Sequence, residues 1–486
     1  MAEVAAAIEE DEATKAAKTT FAENAADVQY LSWNDLQSQA ALLGVKSPSR
    51  KRADLEDAVR SHLSQSTTES DDGTDVGQGE APSDDSPDAL IDKLRSKSEK
   101  TFHYNAEHMQ YQIMYSLWNR FLETAELLLG LSPFAWDMSK SLLAGLGFED
   151  VSSWPILQAI VYLQGLRLVQ SVIDLPWSAY STFHIEAKHG FNKTTVETFV
   201  MDFIKDTGLT LTLGSVVLAG MLAVMSWANV EGRGHLFFLY IWAFIFAVTL
   251  FFMFIAPTVI MPLFNEFTPL EKSSLLDRIE DVAAQPEIQF PVKKVFVVDG
   301  SRRSGHSNAF FFGFFKNKRV VLYDTLLSQV SENEIVAVLC HEFGHWRHGH
   351  VLQNFVVSQT FLLTTFFFYA SFREDEAIYA SFGFKDQNLV IGLFLFLTTV
   401  WAPVSTAFGY ILTLDSRRKE FEADRFAVRT GHGDDLQRGL LKISLENLGN
   451  LDPDWIYSAF NHTHPPLVQR LRAISQYSAE LQKKTL

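Results

Sequence analysis

Three side chains within five residues have the types and spacing to hold and use a metal ion. In the stretch VLCHEFGHW, His341 and His345 stand four apart, with Glu342 directly after the first. On a helix, side chains at i and i+4 share one face, about 5–6 Å apart at Cβ. Two neutral imidazoles at that spacing can bind one Zn2+. Glu342 sits about 100° further round the helix, where it can reach water beside the ion rather than the ion itself. A helix is expected here because Ser331 can cap it and Glu334, three residues on, completes a capping box. His348 and His350 follow closely but are given no role. The single cysteine, Cys340, excludes an intrachain disulfide framework and is read as a packing residue.

A catalytic zinc takes three protein ligands and keeps one position open, so another element must supply a carboxylate or imidazole. The stretch DSRRKEFEADRFAVRTG (415–431) offers Glu420, Glu422 and Asp424. Helical spacing puts Glu420 and Asp424 on one face, where Glu420 could bind the ion and Asp424 orient a ligand histidine through its free N–H. An ordinary amphipathic helix would show the same pair. The stretch SGHSNAFFFGFFKNKRVVLYDTLL (304–327) reads as a β-hairpin. Its edge could hold an extended peptide by strand addition, with Asn308 adding side-chain hydrogen bonds, or the hairpin could be purely structural. In NHTHPPLVQRL (461–471), His464 precedes two prolines and Arg470 lies six residues on. Either could stabilise the oxyanion of a tetrahedral intermediate; the plainer reading is a turn followed by a helix with exposed basic residues.

The elements that must position these groups differ along the chain. The 486 residues are 47% hydrophobic with a net charge of -17, which argues against general nucleic-acid affinity. Residues 1–30 read as disordered and 65–92 as an acidic flexible linker. Between them, 31–64 reads as a small helix–loop–helix module, resembling SAP and Rho-N-terminal modules; docking of an unidentified partner is favoured over nucleic acid. From 93 to 486 the chain reads as one membrane-embedded domain, mainly α and polytopic. Spans of about 20 mostly apolar residues fall at 110–131, 154–180, 207–229, 235–263, 351–371 and 389–414. The first two carry Arg120, Glu123, Glu126, Arg167 and Asp174, which are expected to line a polar cavity. Lysine and arginine crowd alternate loops, including 264–350, so an even number of spans puts both termini and that loop in the cytosol. The closing KKTL fits a dilysine retrieval signal of the endoplasmic reticulum.

Five motifs in order, PWSAYSTFHIEAKHGFN, HSNAFFFGFF, CHEFGHW, SRRKEFEADRFA and HPPLVQRL, resemble the type I CAAX prenyl protease family over about residues 105–480. The resemblance implies a ring of transmembrane helices enclosing a water-filled chamber, with a zincin-like HExxH catalytic domain. It implies one Zn2+ per chain on His341, His345 and Glu420, with Glu342 as base and Asp424 orienting a ligand. Asn308, His464 and Arg470 would be substrate or transition-state contacts. The substrates would be prenylated C-terminal peptides of CAAX proteins, met in the bilayer of the endoplasmic reticulum or nuclear envelope. The family begins with a further transmembrane helix, giving seven spans against six here. In its place, 89–104 is expected to form an amphipathic helix on the membrane surface. Alternative functions are quality-control proteolysis of unprenylated or translocon-stalled chains, and a catalytically silent membrane scaffold.

Overall fold

The computed structural model describes residues 87–485 except 149, 231–232, 314–317 and 386. The disordered segment, the 31–64 module and most of the acidic linker lie outside the described residues. The chain divides into two units, Arg95–Arg470, and Met1–Leu94 with Leu471–Leu486. The core, the sheet and the candidate site belong to Arg95–Arg470.

Helix α1 runs unbroken over Pro87–Leu129, and α2 over Leu131–Gly145. The 89–104 stretch is therefore not a separate helix but the first turns of α1. Pro155 opens α3 (Pro155–Tyr180), which continues through a π-helical turn to His189. Proline suits that place because its missing N–H would be unpaired in any first turn. Thr195 caps α4 (Val196–Ala228), its hydroxyl accepting from the Thr198 amide at 3.1 Å. Helix α5 (Phe237–Ile255) is followed by α6 (Ser274–Ala284) and α7 (Asp324–Gln329). Next come α8 (Glu332–Arg347), α9 (His350–Phe372) and α10 (Glu376–Ser381). Then α11 (Leu389–Leu395) and α12 (Ala402–Arg429) precede α13 (Gly433–Glu446), α14 (Trp455–Asn461) and α15 (Leu467–Thr485).

Among the described residues, four helices are long and apolar enough to cross a membrane: Pro155–His189, Val196–Ala228, Gly234–Leu263 and His350–Phe372. A fifth crossing is available if Leu389–Val400 and Ala402–Arg429, bent by 61°, form one broken span. The expected first span, 110–131, lies on α1, which does not meet that criterion. Arg120, Glu123 and Glu126 interrupt it, and Arg120 pairs with Glu123 at 2.7 Å while both remain exposed. The spans and α2 meet over Trp136, Tyr162, Met225, Phe237, Ile241, Tyr369, Phe396 and Trp401. Elsewhere they present bare apolar side chains, among them Val216, Phe251, Phe254 and Phe367. Such faces are stable against lipid and unfavourable in water.

Beside the spans lies a four-stranded mixed sheet of β1 (Phe267–Pro269), β2 (Val292–Val298), β3 (Ala309–Phe312) and β4 (Lys318–Tyr323), in the order β1-β2-β4-β3. β3 and β4 form the expected antiparallel hairpin, and β4 runs parallel to β2. β3 is an edge strand and approaches α8. Helix α8 also packs on α12, α13 and α6, which buries Ile335, Val336, Leu339, Cys340 and Phe343.

Candidate active site

Helix α8 starts where the capping box puts it, with the Ser331 amide donating to Glu334 at 2.7 Å. Lys442 on α13 pairs with the same carboxylate at 3.0 Å, holding the start of α8 to its neighbour. Gly344 then lets α8 reach α12. A Cβ there would stand 3.1 Å from Ala423 Cα and 3.2 Å from its carbonyl oxygen, so the two backbones touch at this point. Three residues before Gly344 is His341, and three before Ala423 is Glu420. A crossing at Gly344 and Ala423 therefore brings the imidazole pair and the carboxylate together.

The result is a close triangle of ligand atoms. His341 Nε2 lies 3.2 Å from His345 Nε2. Glu420 Oε2 is 3.4 Å from His341 Nε2, and Oε1 is 3.3 Å from His345 Nε2. A tetrahedral ion with bonds of about 2.0–2.1 Å sets its ligands about 3.3 Å apart, so these spacings fit one. Buried Glu420 Oε2 has no hydrogen-bond partner, an orphan that a cation would satisfy. Glu420 and Asp424 face the guanidinium of Arg470 and Glu342 lies within its field, so the carboxylates outnumber the cation and match a divalent ion. Among the described residues this is the only group of three or more such ligands.

Each imidazole is held from behind, by a different device. His341 Nδ1 lies 2.9 Å from Asp424 Oδ1. Asp424 is wholly buried and is gripped by Arg470 through Nε at 2.9 Å and Nη2 at 2.6 Å. Arg470 Nη1 faces Glu420 Oε2 at 3.4 Å. Arg470 Nη2 and His341 Nδ1 are also 3.4 Å apart, but both are donors when His341 serves Asp424, so that contact is not a hydrogen bond. Burial disfavours a charged His341, yet the nearby carboxylates of Asp424 and Glu420 prevail and raise it to about 9.

His345 Nδ1 faces His350 Nδ1 at 2.9 Å, and His350 Nε2 faces Glu422 Oε2 at 3.1 Å. Arg418 Nε donates to Glu422 Oε1 at 3.0 Å. His350 is buried, whereas His348 is exposed. The sequence reading had no role for His350 and placed Glu422 only among three acids. The contact forms across Gly349, whose φ of +69° breaks the helix between α8 and α9 and lets His350 meet His345. A glycine just past a helix end was the only available signal.

The other expected residues lie around this group. Glu342 shares its electrostatic field. Loss of water raises its carboxyl above the usual range; the two imidazoles oppose this and Glu420 adds to it. His464 is exposed, with Nε2 3.5 Å from Glu420 Oε1. A cleft of about 410 Å³, lined by Leu440, Ile443, His462, Pro466 and others, opens onto His464 and Arg470. Asn308 is exposed immediately before β3, and its side-chain oxygen accepts from the Ala309 amide at 2.8 Å. Among the described residues no hydrogen bond joins it to the histidine–glutamate group. Burial pushes the Cys340 thiol up to about 12, as expected of a packing residue.

A family model described as CAAX prenyl protease N-terminal, five membrane helices, matches residues 80–266, and one described as peptidase family M48 matches 269–478. The chain is 42% identical over 390 residues to a CAAX prenyl protease 1 homolog of Arabidopsis thaliana, covering 80% of this chain and 90% of the relative. The chain belongs to the CAAX prenyl protease family of M48 peptidases. The Homo sapiens homolog is 36% identical over 77% of this chain and 85% of its own length. The CAAX prenyl protease 1 of Saccharomyces cerevisiae is 34% identical over 81% and 89%. The crystal structure of S. mikatae Ste24p has the same fold, with a TM-score of 0.70 and 33% identity, covering 77% of this chain and 88% of that one. Membership makes the protein a multi-pass membrane metallopeptidase.

Proposed function

We propose that the protein is a zinc endopeptidase that removes the C-terminal tripeptide from prenylated CAAX proteins. The observation that carries this is the triangle of His341, His345 and Glu420 at 3.2–3.4 Å, in a chain of this family. Two imidazoles and a carboxylate are a zinc donor set with one position left for water or substrate. Zinc held there supplies Lewis acidity toward a carbonyl and lowers the pKa of water.

The remaining work falls to the chain's own side chains. Glu342, with its affinity for a proton raised by its surroundings, takes one from the attacking water and passes it to the leaving amine. His464, exposed beside Glu420, donates to the oxyanion as charge develops. Arg470 contributes positive potential from behind, while its hydrogen bonds hold Asp424 and thereby His341. The edge of β3 with Asn308 holds the extended peptide by strand addition. A ring of spans around a wet chamber lets the prenyl group enter from lipid while the peptide reaches water. The lysine- and arginine-rich 264–350 segment supports a cytosolic site in the membrane of the endoplasmic reticulum.

The test compares a farnesylated CAAX peptide with its unmodified twin, using purified full-length protein with and without a chelator. Release of the tripeptide from the farnesylated peptide alone, lost on chelation and restored by zinc, is expected. Equal cleavage of the twin would reject the prenyl-dependent reading. Glu342→Ala should lower hydrolysis by at least about 10²–10⁴-fold while zinc binding persists. Substantial turnover by that variant would remove Glu342 from its role.

A further inference from the structure

The bonds behind His345 allow only one arrangement of protons once its Nε2 serves a metal. A neutral imidazole has one N–H and one lone pair. If His345 Nε2 offers its lone pair toward Glu420 and His341, its proton must be on Nδ1. That proton points at His350 Nδ1, 2.9 Å away, which must then accept. His350 must carry its own proton on Nε2, which points at Glu422 Oε2 at 3.1 Å. Glu422, an ionised carboxylate, can only accept, and Arg418 steadies its other oxygen at 3.0 Å. Every donor in this chain meets an acceptor, and no other neutral arrangement pairs them all.

We propose that His350 is a positioning residue for His345, and that Glu422 acts through it by fixing its tautomer. The inference rests on His345 being a metal ligand. His350 is 2% exposed, so its ring is held by packing as well as by Glu422. The pair fixes the rotation of the His345 ring about its Cβ–Cγ bond and raises the electron density on Nε2, as a carboxylate does when bonded to a ligand histidine directly. Here a second imidazole extends the carboxylate's reach. The extension is needed because Glu422 sits two residues beyond Glu420 and points to another side of α12.

The experiment measures zinc affinity of purified full-length protein by competition with a chromophoric chelator, and kcat and KM at saturating zinc. His350→Phe keeps a ring but removes both nitrogens; zinc affinity should fall about 10–100-fold, and kcat should fall with little change in KM. His350→Asn, whose side-chain oxygen can accept near the place of Nδ1, should recover part of the affinity. If His350→Phe binds zinc as the unaltered protein does, the proposal is overturned. Equal losses in Phe and Asn variants would assign His350 to packing and also overturn it. Should His350→Phe fail to fold, Glu422→Leu and Glu422→Gln decide: Leu should weaken zinc binding, whereas Gln, still an acceptor, should retain most of it. Unchanged affinity in both, or equal loss in both, overturns the proposal. Failure of the unaltered protein to bind zinc would instead reject the metal reading of the whole site.

Discussion

The two ligand histidines share a helix and face a common carboxylate, yet they are held in contrasting surroundings. Behind His341 stands a dry ion pair: Asp424 is 0% exposed and Arg470 7%. Behind His345 the chain of bonds leads outward, from buried His350 through half-exposed Glu422 to Arg418, whose side chain is 74% exposed. In low dielectric, a charge that loses its partner is costly, whereas at the surface water replaces the partner. The His341 arm should therefore be coupled strongly to folding. The His345 arm should tune the metal while contributing little to stability, and less with each step outward.

The sharpest way to break this contrast is Asp424→Ala. It removes both hydrogen-bond acceptors of the buried Arg470 guanidinium and leaves it facing Glu420 at 3.4 Å, which should cost about 3–5 kcal/mol of stability, and it should lower zinc affinity about 10–100-fold. Thermal melting with and without zinc reads both effects. A melting temperature close to that of the unaltered protein would show that Arg470 finds other partners and that the arm is not dry. Asp424→Ala combined with Arg470→Met should recover much of the lost stability but not the zinc affinity, because the stranded charge is gone while His341 still lacks its acceptor.

A middle-sized effect is expected at the crossing that both arms depend on. Gly344→Ala places a methyl 3.1 Å from the Ala423 backbone, which cannot move aside as a flexible side chain would. Overpacking of this kind costs about 1–3 kcal/mol. It should also shift Glu420 away from both imidazoles, so zinc affinity and stability should fall together. Zinc affinity equal to that of the unaltered protein would mean that α8 and α12 can slide without disturbing the triangle.

What could be read from sequence follows the range of the interactions involved. The i,i+4 histidines, the Ser331–Glu334 box and the Glu420–Asp424 face are local patterns on single helices. The later spans were legible from runs of apolar residues; of α1, the 89–104 helix and the 110–131 span were legible as separate pieces, but their union into one continuous helix was not. The β3–β4 hairpin follows from neighbouring residues, but the parallel pairing of β2 with β4 joins separate stretches, and no local signal marks it. His350 escaped for a related reason. Helical periodicity says nothing across the left-handed turn at Gly349, so its return to His345 is visible only in three dimensions. Arg470 was legible as a cation, but its burial against Asp424 was not.

The smallest effect tests the outer end of the His345 arm. Arg418 and Glu422 lie four apart on α12, with Arg418 largely in water. Exposed i,i+4 pairs contribute about 0.3–0.5 kcal/mol, and the order with the cation N-terminal is the weaker one. Arg418→Ala should therefore leave the melting temperature nearly unchanged and alter zinc affinity by no more than about twofold. Glu422 keeps its charge in this variant, and His350 Nε2 still has its acceptor at Oε2. A loss as large as that expected for His350→Phe would show that Arg418 holds Glu422 in place. The outer arm would then be as rigid as the buried one, and exposure would not be what separates the two.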